Sequence, residues 1–160
     1  MSEEKKKRLG GNLTVNRRVT HDYLVLEKIE AGIELVGTEV KVVRNGEAGL
    51  TGSYAQVKDG QLFLHQARIP PYTFSKHFNH EALRPRRLLM HTREIRKLQA
   101  LSEQKGLSLI PLRFYLTPRG LVKVEIGVCR GKAQHDKRET IKSRDADMEA
   151  RRAISTHGRN

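Results

Sequence analysis

The stretch that decides the fold runs Ile110-Pro111-Leu112-Arg113-Phe114-Tyr115-Leu116-Thr117-Pro118-Arg119-Gly120-Leu121-Val122-Lys123-Val124-Glu125-Ile126-Gly127-Val128. Ile110, Leu112, Phe114 and Leu116 alternate along the first arm. Val122, Val124, Ile126 and Val128 alternate along the second, with Lys123 and Glu125 facing the other way, which is the period of a strand whose two faces differ. Pro118-Arg119-Gly120 supplies the turn between them. Pro111 cannot donate to a ladder, so an edge or a bulge is expected there.

A second hairpin lies upstream, where residues 53–58 and 61–65 flank Asp59-Gly60, a pair suited to the two positive φ angles of a type I′ turn. Residues 23–31 read as a further strand. Two helices interrupt the strands. Thr92 is the expected N-cap of one that puts Ile95, Leu98 and Leu101 on one side and stops at Gly106; Thr38 is that of a shorter one with Val40 and Val43 inward, ending at Asn45-Gly46. About six short antiparallel strands leave fewest open edges when they close into a barrel, so a mainly β barrel with two or three flanking helices is expected.

The chain has 160 residues, the size of one domain with tails. All eight aromatic residues lie between Tyr23 and Tyr115, so the last 31 residues have none and cannot bury a core alone. The expected division is a basic flexible arm at 1–15, a barrel at 16–130, and a basic tail at 131–160 that is disordered when free and helical once a partner neutralises it. No run is long and apolar enough to suggest a membrane span, and no apolar stretch follows the charged start, so a cytoplasmic location is expected. Cys129 is the only cysteine, which excludes an internal disulfide and a thiolate zinc cluster.

A search for catalytic chemistry returns fragments. His80-Glu81 opens a zincin-like pattern, but Arg84 stands where the second histidine is needed. His77 and His80 lack a third ligand, and loop histidines in a basic protein account for them more simply. Gly127 to Lys132 departs from a phosphate loop in glycine spacing and in having Ala133 where Ser or Thr would hold magnesium. Cys129 ends an apolar strand with no partner base, the setting of a structural thiol. No enzyme activity, no metal and no cofactor is expected.

Charge is more informative. Lys and Arg number 31 against 18 Asp and Glu, a formal net charge of +13, which points to a polyanionic partner. Arg84, Arg86, Arg87, Arg93, Arg96 and Lys97 oppose only Glu94 within one short segment, and Arg17-Arg18 and Arg130 with Lys132 add two more groups. One such run is usually a solvated face. Three of them on so basic a chain favour phosphate contacts, and the scarcity of aromatics favours a structured RNA read by shape and backbone.

The ordered motifs then resemble a known family. Asn16-Arg17-Arg18, His21-Asp22-Tyr23, Glu30-Ala31-Gly32-Ile33 and Gly37-Thr38-Glu39-Val40-Lys41 are similar to the amino-terminal signature of small protein B, the SsrA-binding proteins of bacteria. Arg86-Arg87-Leu88-Leu89-Met90-His91, Gln104-Lys105-Gly106-Leu107, Lys123-Val124-Glu125-Ile126-Gly127, Gly131-Lys132 and Gln134-His135-Asp136-Lys137-Arg138 resemble its later motifs in order. The resemblance spans about residues 16–145 and implies an oligonucleotide-binding-type barrel. It also implies a partner: the tRNA-like domain of transfer-messenger RNA (tmRNA). That RNA is delivered to stalled ribosomes, with the protein tail in the empty mRNA channel and decoding centre of the small subunit. Alanyl-tRNA synthetase and elongation factor Tu are implied as acting on the same RNA, and the protein is expected to bind as a monomer.

Carried over by motif, Glu30 matches an acid needed for RNA binding; taken alone it reads as a surface acid paired with Lys41. Asn16, Lys123, Leu89 and His91 match positions at or beside the RNA surface, and Arg17, Arg18, Lys41, Arg87, Arg130 and Lys132 complete the expected RNA-binding set. In the tail, the resemblance makes His135 a stacking group for a decoding-centre base and Asp136, Lys137 and Arg138 the activity motif. Lys137, Arg138, Lys142 and Arg144 form a basic stripe for ribosomal RNA phosphates when the tail is helical. The sequence departs from the family at Ala133, Val42 and the 80–83 loop.

Overall fold

The computed structural model describes residues 11–132 and 144–152. Seven strands make one antiparallel sheet: β1 (Asn12–Val15), β2 (Tyr23–Ile33), β3 (Tyr54–Lys58), β4 (Gln61–His65), β5 (Arg86–Leu89), β6 (Leu107–Leu116) and β7 (Val122–Gly131). Their order is β1-β6-β3-β4-β5-β2-β7, and β7 pairs again with β6. Helices α1 (Val19–Asp22), α2 (Gly37–Arg44) and α3 (Thr92–Ser102) lie between strands, and residues 144–152 form α4.

Both expected hairpins are present. Asp59 and Gly60 take φ of 52° and 73°, the left-handed pair of a type I′ turn, and bring Lys58 opposite Gln61. In the β6–β7 hairpin Leu116 faces Val122, and the Thr117 N–H closes the turn on the Leu121 carbonyl at 2.9 Å.

The register of β6 slips between Pro111 and Arg113, so the irregularity at Pro111 is a bulge and not an edge, since β6 has β1, β3 and β7 as neighbours. The extra residue reverses the alternation. Leu109 and Phe114 face the main core, whereas Ile110 packs with Val19 and Cys129 in a smaller cluster, and Leu112 lies half-buried on it. The single apolar face expected for Ile110, Leu112, Phe114 and Leu116 is thus divided. β2 slips between Val25 and Glu27 with the same effect: Tyr23 and Val25 serve the small cluster, Ile29 and Ala31 the main one.

Both expected helices form, with different ends. Thr38 and Thr92 lie inside their helices, and Val36 and His91 occupy the N-cap positions in extended conformation. The first turn of α2 is held instead by Glu39, whose Oε1 accepts the Val36 N–H at 3.0 Å. Val42 and Val43 are the buried valines there, with Val40 half-buried. Residues 12–15, at the end of the expected arm, pair with β6, and Leu13 packs on the core.

A buried ion pair ties α2 to β5. Glu39 and Arg86 both have side chains at 0% exposure, and the Arg86 Nε donates to Glu39 Oε2. The remaining Arg86 nitrogens reach the carbonyls of Ala67 at 2.8 Å and of Glu81 and Ala82 at 3.2 Å. Arg84 donates to the other Glu39 oxygen. Burial alone would raise the Glu39 carboxyl, but the hydrogen bonds from Arg84, Val36 and Arg86 outweigh it and hold it below the usual glutamate range. Arg84 and Arg86, two of the six cations expected to face phosphate, are therefore satisfied by protein, and a third, Lys97, donates to Glu27 Oε1 at 2.5 Å.

Removing one partner strands a buried charge, so Arg86→Ala is expected to lower stability by about 3–5 kcal/mol in urea unfolding, and Glu39→Leu with Arg86→Met to cost less than Arg86→Ala alone. Because the Glu39 pKa is depressed by folding, its contribution is full above the ordinary glutamate value and is lost as pH falls through the lowered one. The stability of the Glu39→Leu/Arg86→Met protein in urea unfolding should therefore fall less as pH is lowered than that of the parent.

Candidate nucleic-acid interface

The outer faces of β2, β7 and β6 lie side by side, and their registers put Glu30 opposite Glu125, Arg113 opposite Glu125, and Tyr115 opposite Lys123. Lys123 Nζ donates to Glu30 Oε1 at 2.9 Å, and the Tyr115 hydroxyl donates to Glu30 Oε2. Arg113 sits over the Tyr115 ring at 4.3 Å and reaches Glu125 at 3.2 Å and Asn12 Oδ1 at 2.6 Å. The hydrogen bond from Tyr115, then that from Lys123, hold the Glu30 carboxyl below its usual range although the side chain is 55% exposed. Burial and the same bond push the Tyr115 hydroxyl up, so it remains a donor at neutral pH.

Next to this ladder is a cleft of about 540 Å3 lined by Glu30, Gly32, Leu89, Met90, His91, Glu94 and Lys123. Gly32 faces Leu89 across the β2–β5 pairing, and a Cβ on Gly32 would stand 3.2 Å from the Leu89 Cβ, so any larger residue there would have to push β5 back by a few tenths of an ångström. Leu89 and His91 are exposed there. A fixed carboxylate, an ammonium, an imidazole and an exposed aliphatic side chain thus line one opening. The carboxylate can accept hydrogen bonds from base amino or imino groups, the ammonium can meet a phosphate, and Leu89 can pack against a sugar or a base face.

Four of the expected RNA-binding residues, Glu30, Leu89, His91 and Lys123, come together in this cleft. Others lie elsewhere. Asn16 is 7% exposed, and its side-chain amide donates to the carbonyls of Pro111 at 3.0 Å and Leu50 at 3.3 Å, tying β1 to the bulge. Lys41 does not pair with Glu30; its Nζ stands 5.0 Å from the centre of the Tyr72 ring. Arg87 is exposed on β5 opposite Phe63. A second basic group collects at α1, where Arg17 and Arg18 are exposed, Lys132 Nζ reaches the Thr20 carbonyl at 2.9 Å, and Arg144 at the start of α4 lies 3.4 Å from the Thr20 hydroxyl. Arg130 is exposed near the end of β7. His135, Asp136, Lys137, Arg138 and Lys142 lie outside the described residues.

The sequence reading missed Tyr115 and Arg113. Counting back from the hairpin turn puts Tyr115 beside Lys123, so the register alone could have supplied the first. Among the described residues, no three His, Cys, Asp or Glu side chains gather as a metal site, and no helix is long and apolar enough to cross a membrane. Both ring nitrogens of His80 are taken, Nδ1 by the Thr38 hydroxyl at 2.8 Å and Nε2 by the Ile69 carbonyl at 2.8 Å. Cys129 is fully buried, and burial pushes its thiol up to about 11.

The profile of the family described as SmpB protein matches residues 13–156. This chain belongs to that family. The chain is 53% identical over 142 residues to an SsrA-binding protein of Moorella thermoacetica, covering 89% of this chain and 92% of the relative. It is 47% identical to one from Staphylococcus carnosus, covering 94% and 96%. Among solved structures it is similar to a chain described under "tmRNA-SmpB: a journey to the center of the bacterial ribosome", with TM-score 0.65 and 45% identity, covering 79% of this chain and 92% of that one.

Replacing Tyr115 by Phe removes the first hydrogen bond on Glu30. The Glu30 carboxyl, followed by NMR through an acid titration, should titrate below the usual glutamate range in the parent and closer to it in Tyr115→Phe. An unchanged midpoint would mean that the hydroxyl does not hold the carboxylate.

Proposed function

We propose that this chain is a non-enzymatic RNA-binding adaptor of trans-translation. It binds the tRNA-like domain of tmRNA, brings it to stalled ribosomes in the cytoplasm, and lays its tail in the empty mRNA channel and decoding centre. The observation that carries this reading is the joining of Glu30, Lys123, Leu89 and His91 in one cleft of a chain that belongs to the SmpB family. The pairings that lead from β6 through β3, β4, β5, β2 and β7 back to β6 support reading the sheet as a closed oligonucleotide-binding-type barrel, with β1 added outside.

In this account the body reads the RNA and the tail reads the ribosome. Glu30 discriminates: a carboxylate repels phosphate and so adds affinity only where a base edge donates to it. Tyr115 and Lys123 fix its two oxygens and leave their remaining lone pairs for the RNA. Lys123, Arg87 and the exposed arginines at α1 supply the salt-sensitive phosphate contacts. The tail motif Asp136-Lys137-Arg138, with His135, Lys142 and Arg144, engages ribosomal RNA. In α4, Asp145 and Asp147 stand near the N-terminal end and Arg151 and Arg152 near the C-terminal end, the arrangement that suits a helix dipole.

Two variants test the reading. Glu30→Gln should weaken tmRNA binding about tenfold or more while leaving binding to an unrelated folded RNA unchanged or stronger, because a negative charge is lost. Stronger binding to both RNAs would indicate a generic polyanion binder on the same scaffold. Asp136, Lys137 and Arg138 together changed to Ala should keep tmRNA affinity and stop peptide tagging on stalled ribosomes, and joint loss of both would contradict the division between body and tail.

A further inference from the structure

The segment joining β4 to β5 presents two phenyl rings to solvent, with Phe74 at 80% and Phe78 at 73% exposure. Exposed aromatics on an ordered loop point to an interaction surface, and this loop is tied at several points. The Tyr72 N–H donates to Asn79 Oδ1 at 3.0 Å, and Asn79 Nδ2 donates back to the Tyr72 carbonyl at 2.9 Å. The Ser75 N–H reaches the Tyr72 carbonyl at 3.2 Å, and its hydroxyl donates to the Phe78 carbonyl. Behind this ring, His80 is fixed to Thr38 and Ile69. Neither phenyl ring belongs to the two apolar clusters.

The charge around the rings selects the occupant. Residues 70–80 contain one formal charge, Lys76, and no carboxylate, and Glu81 follows at the end of the loop. Lys76 and His77 stand between the two phenylalanines in sequence and are exposed. Lys41 lies over Tyr72, whose ring meets Phe74 edge-on at 5.7 Å between centroids. Cations interleaved with solvent-facing π surfaces match a single strand, whose phosphates are drawn to the cations while its unpaired bases stack. An apolar protein partner would have no use for the intervening charge.

We propose that the Tyr72–Phe78 loop is a second RNA-binding site, one that takes unpaired nucleotides by stacking bases on Phe74 and Phe78. The proposal rests on the reading of this chain as an RNA-binding protein and adds a surface outside the Glu30 cleft. The full chain has four phenylalanines, so fluorine-labelled phenylalanine gives four resonances, with the fully buried Phe114 as an internal reference. Adding single-stranded decauridylate should move the Phe74 and Phe78 resonances and leave Phe114 in place. Changing both exposed residues to Leu should weaken decauridylate binding about tenfold or more, whereas changing both to Tyr should retain it, since stacking needs a π face and not merely an apolar one. Static Phe74 and Phe78 signals at saturating decauridylate would overturn the site, as would a Leu variant that binds as well as the parent, the result expected of an apolar protein-docking loop. A parallel titration of the parent with tmRNA separates the two ideas. If tmRNA binds while the rings stay still, only this inference fails; if the rings respond but tmRNA is not preferred, the adaptor function fails and the stacking site stands.

Discussion

Glu39 and Arg86 join parts of the chain that local pattern alone would leave independent. The carboxylate enters from the first turn of α2, and the guanidinium enters from β5 and spreads over three carbonyls of the segment before it. Two charges at zero exposure are tolerable only because each is fully occupied, and no buried side-chain nitrogen or oxygen among the described residues lacks a partner. The consequence is positional. β5 is fixed beside β2 so that Leu89 lies against Gly32 and His91 begins α3, which builds one wall of the Glu30 cleft.

The other wall depends on irregularity in the sheet. The bulges in β2 and β6 let both strands serve the main core with one half and the Val19–Ile110–Cys129 cluster with the other. Gly127, paired with Ile110, takes part in the same device: a Cβ there would come within 3.0 Å of the Leu112 side chain. Beyond the bulges, Arg113, Tyr115, Lys123, Glu125 and Glu30 share the outer face. Their cross-strand hydrogen bonds leave the Glu30 carboxylate ionised and oriented on a face where Lys123 and Arg113 stand beside a second carboxylate, Glu125.

Much of this was legible. Period-two alternation and Asp59-Gly60 located both hairpins, the apolar spacing located α2 and α3, and the ordered motifs pointed to the family. What the sequence concealed was long-range. Arg84 and Arg86 resemble any other members of a basic run until Glu39, 47 residues from Arg86, is brought against them. Asn16 sits in a signature motif, yet its amide is consumed by two backbone carbonyls. β1 is four residues long and α1 a single turn, too short for any period to register, and both exist because β6 and the small cluster provide partners. The bulge at Pro111 was foreseeable, but its reversal of the faces that follow appears only when Leu109 and Phe114 are found in the same core.

In the proposed function the folded body, and not net charge, chooses the RNA. The most direct measurement is a binding titration at several salt concentrations against tmRNA and an unrelated folded RNA of equal length, with the full chain and with a variant truncated after Lys132. Both proteins are expected to prefer tmRNA strongly and to lose affinity steeply with salt. Equal affinity for the two RNAs at every salt concentration would contradict the account.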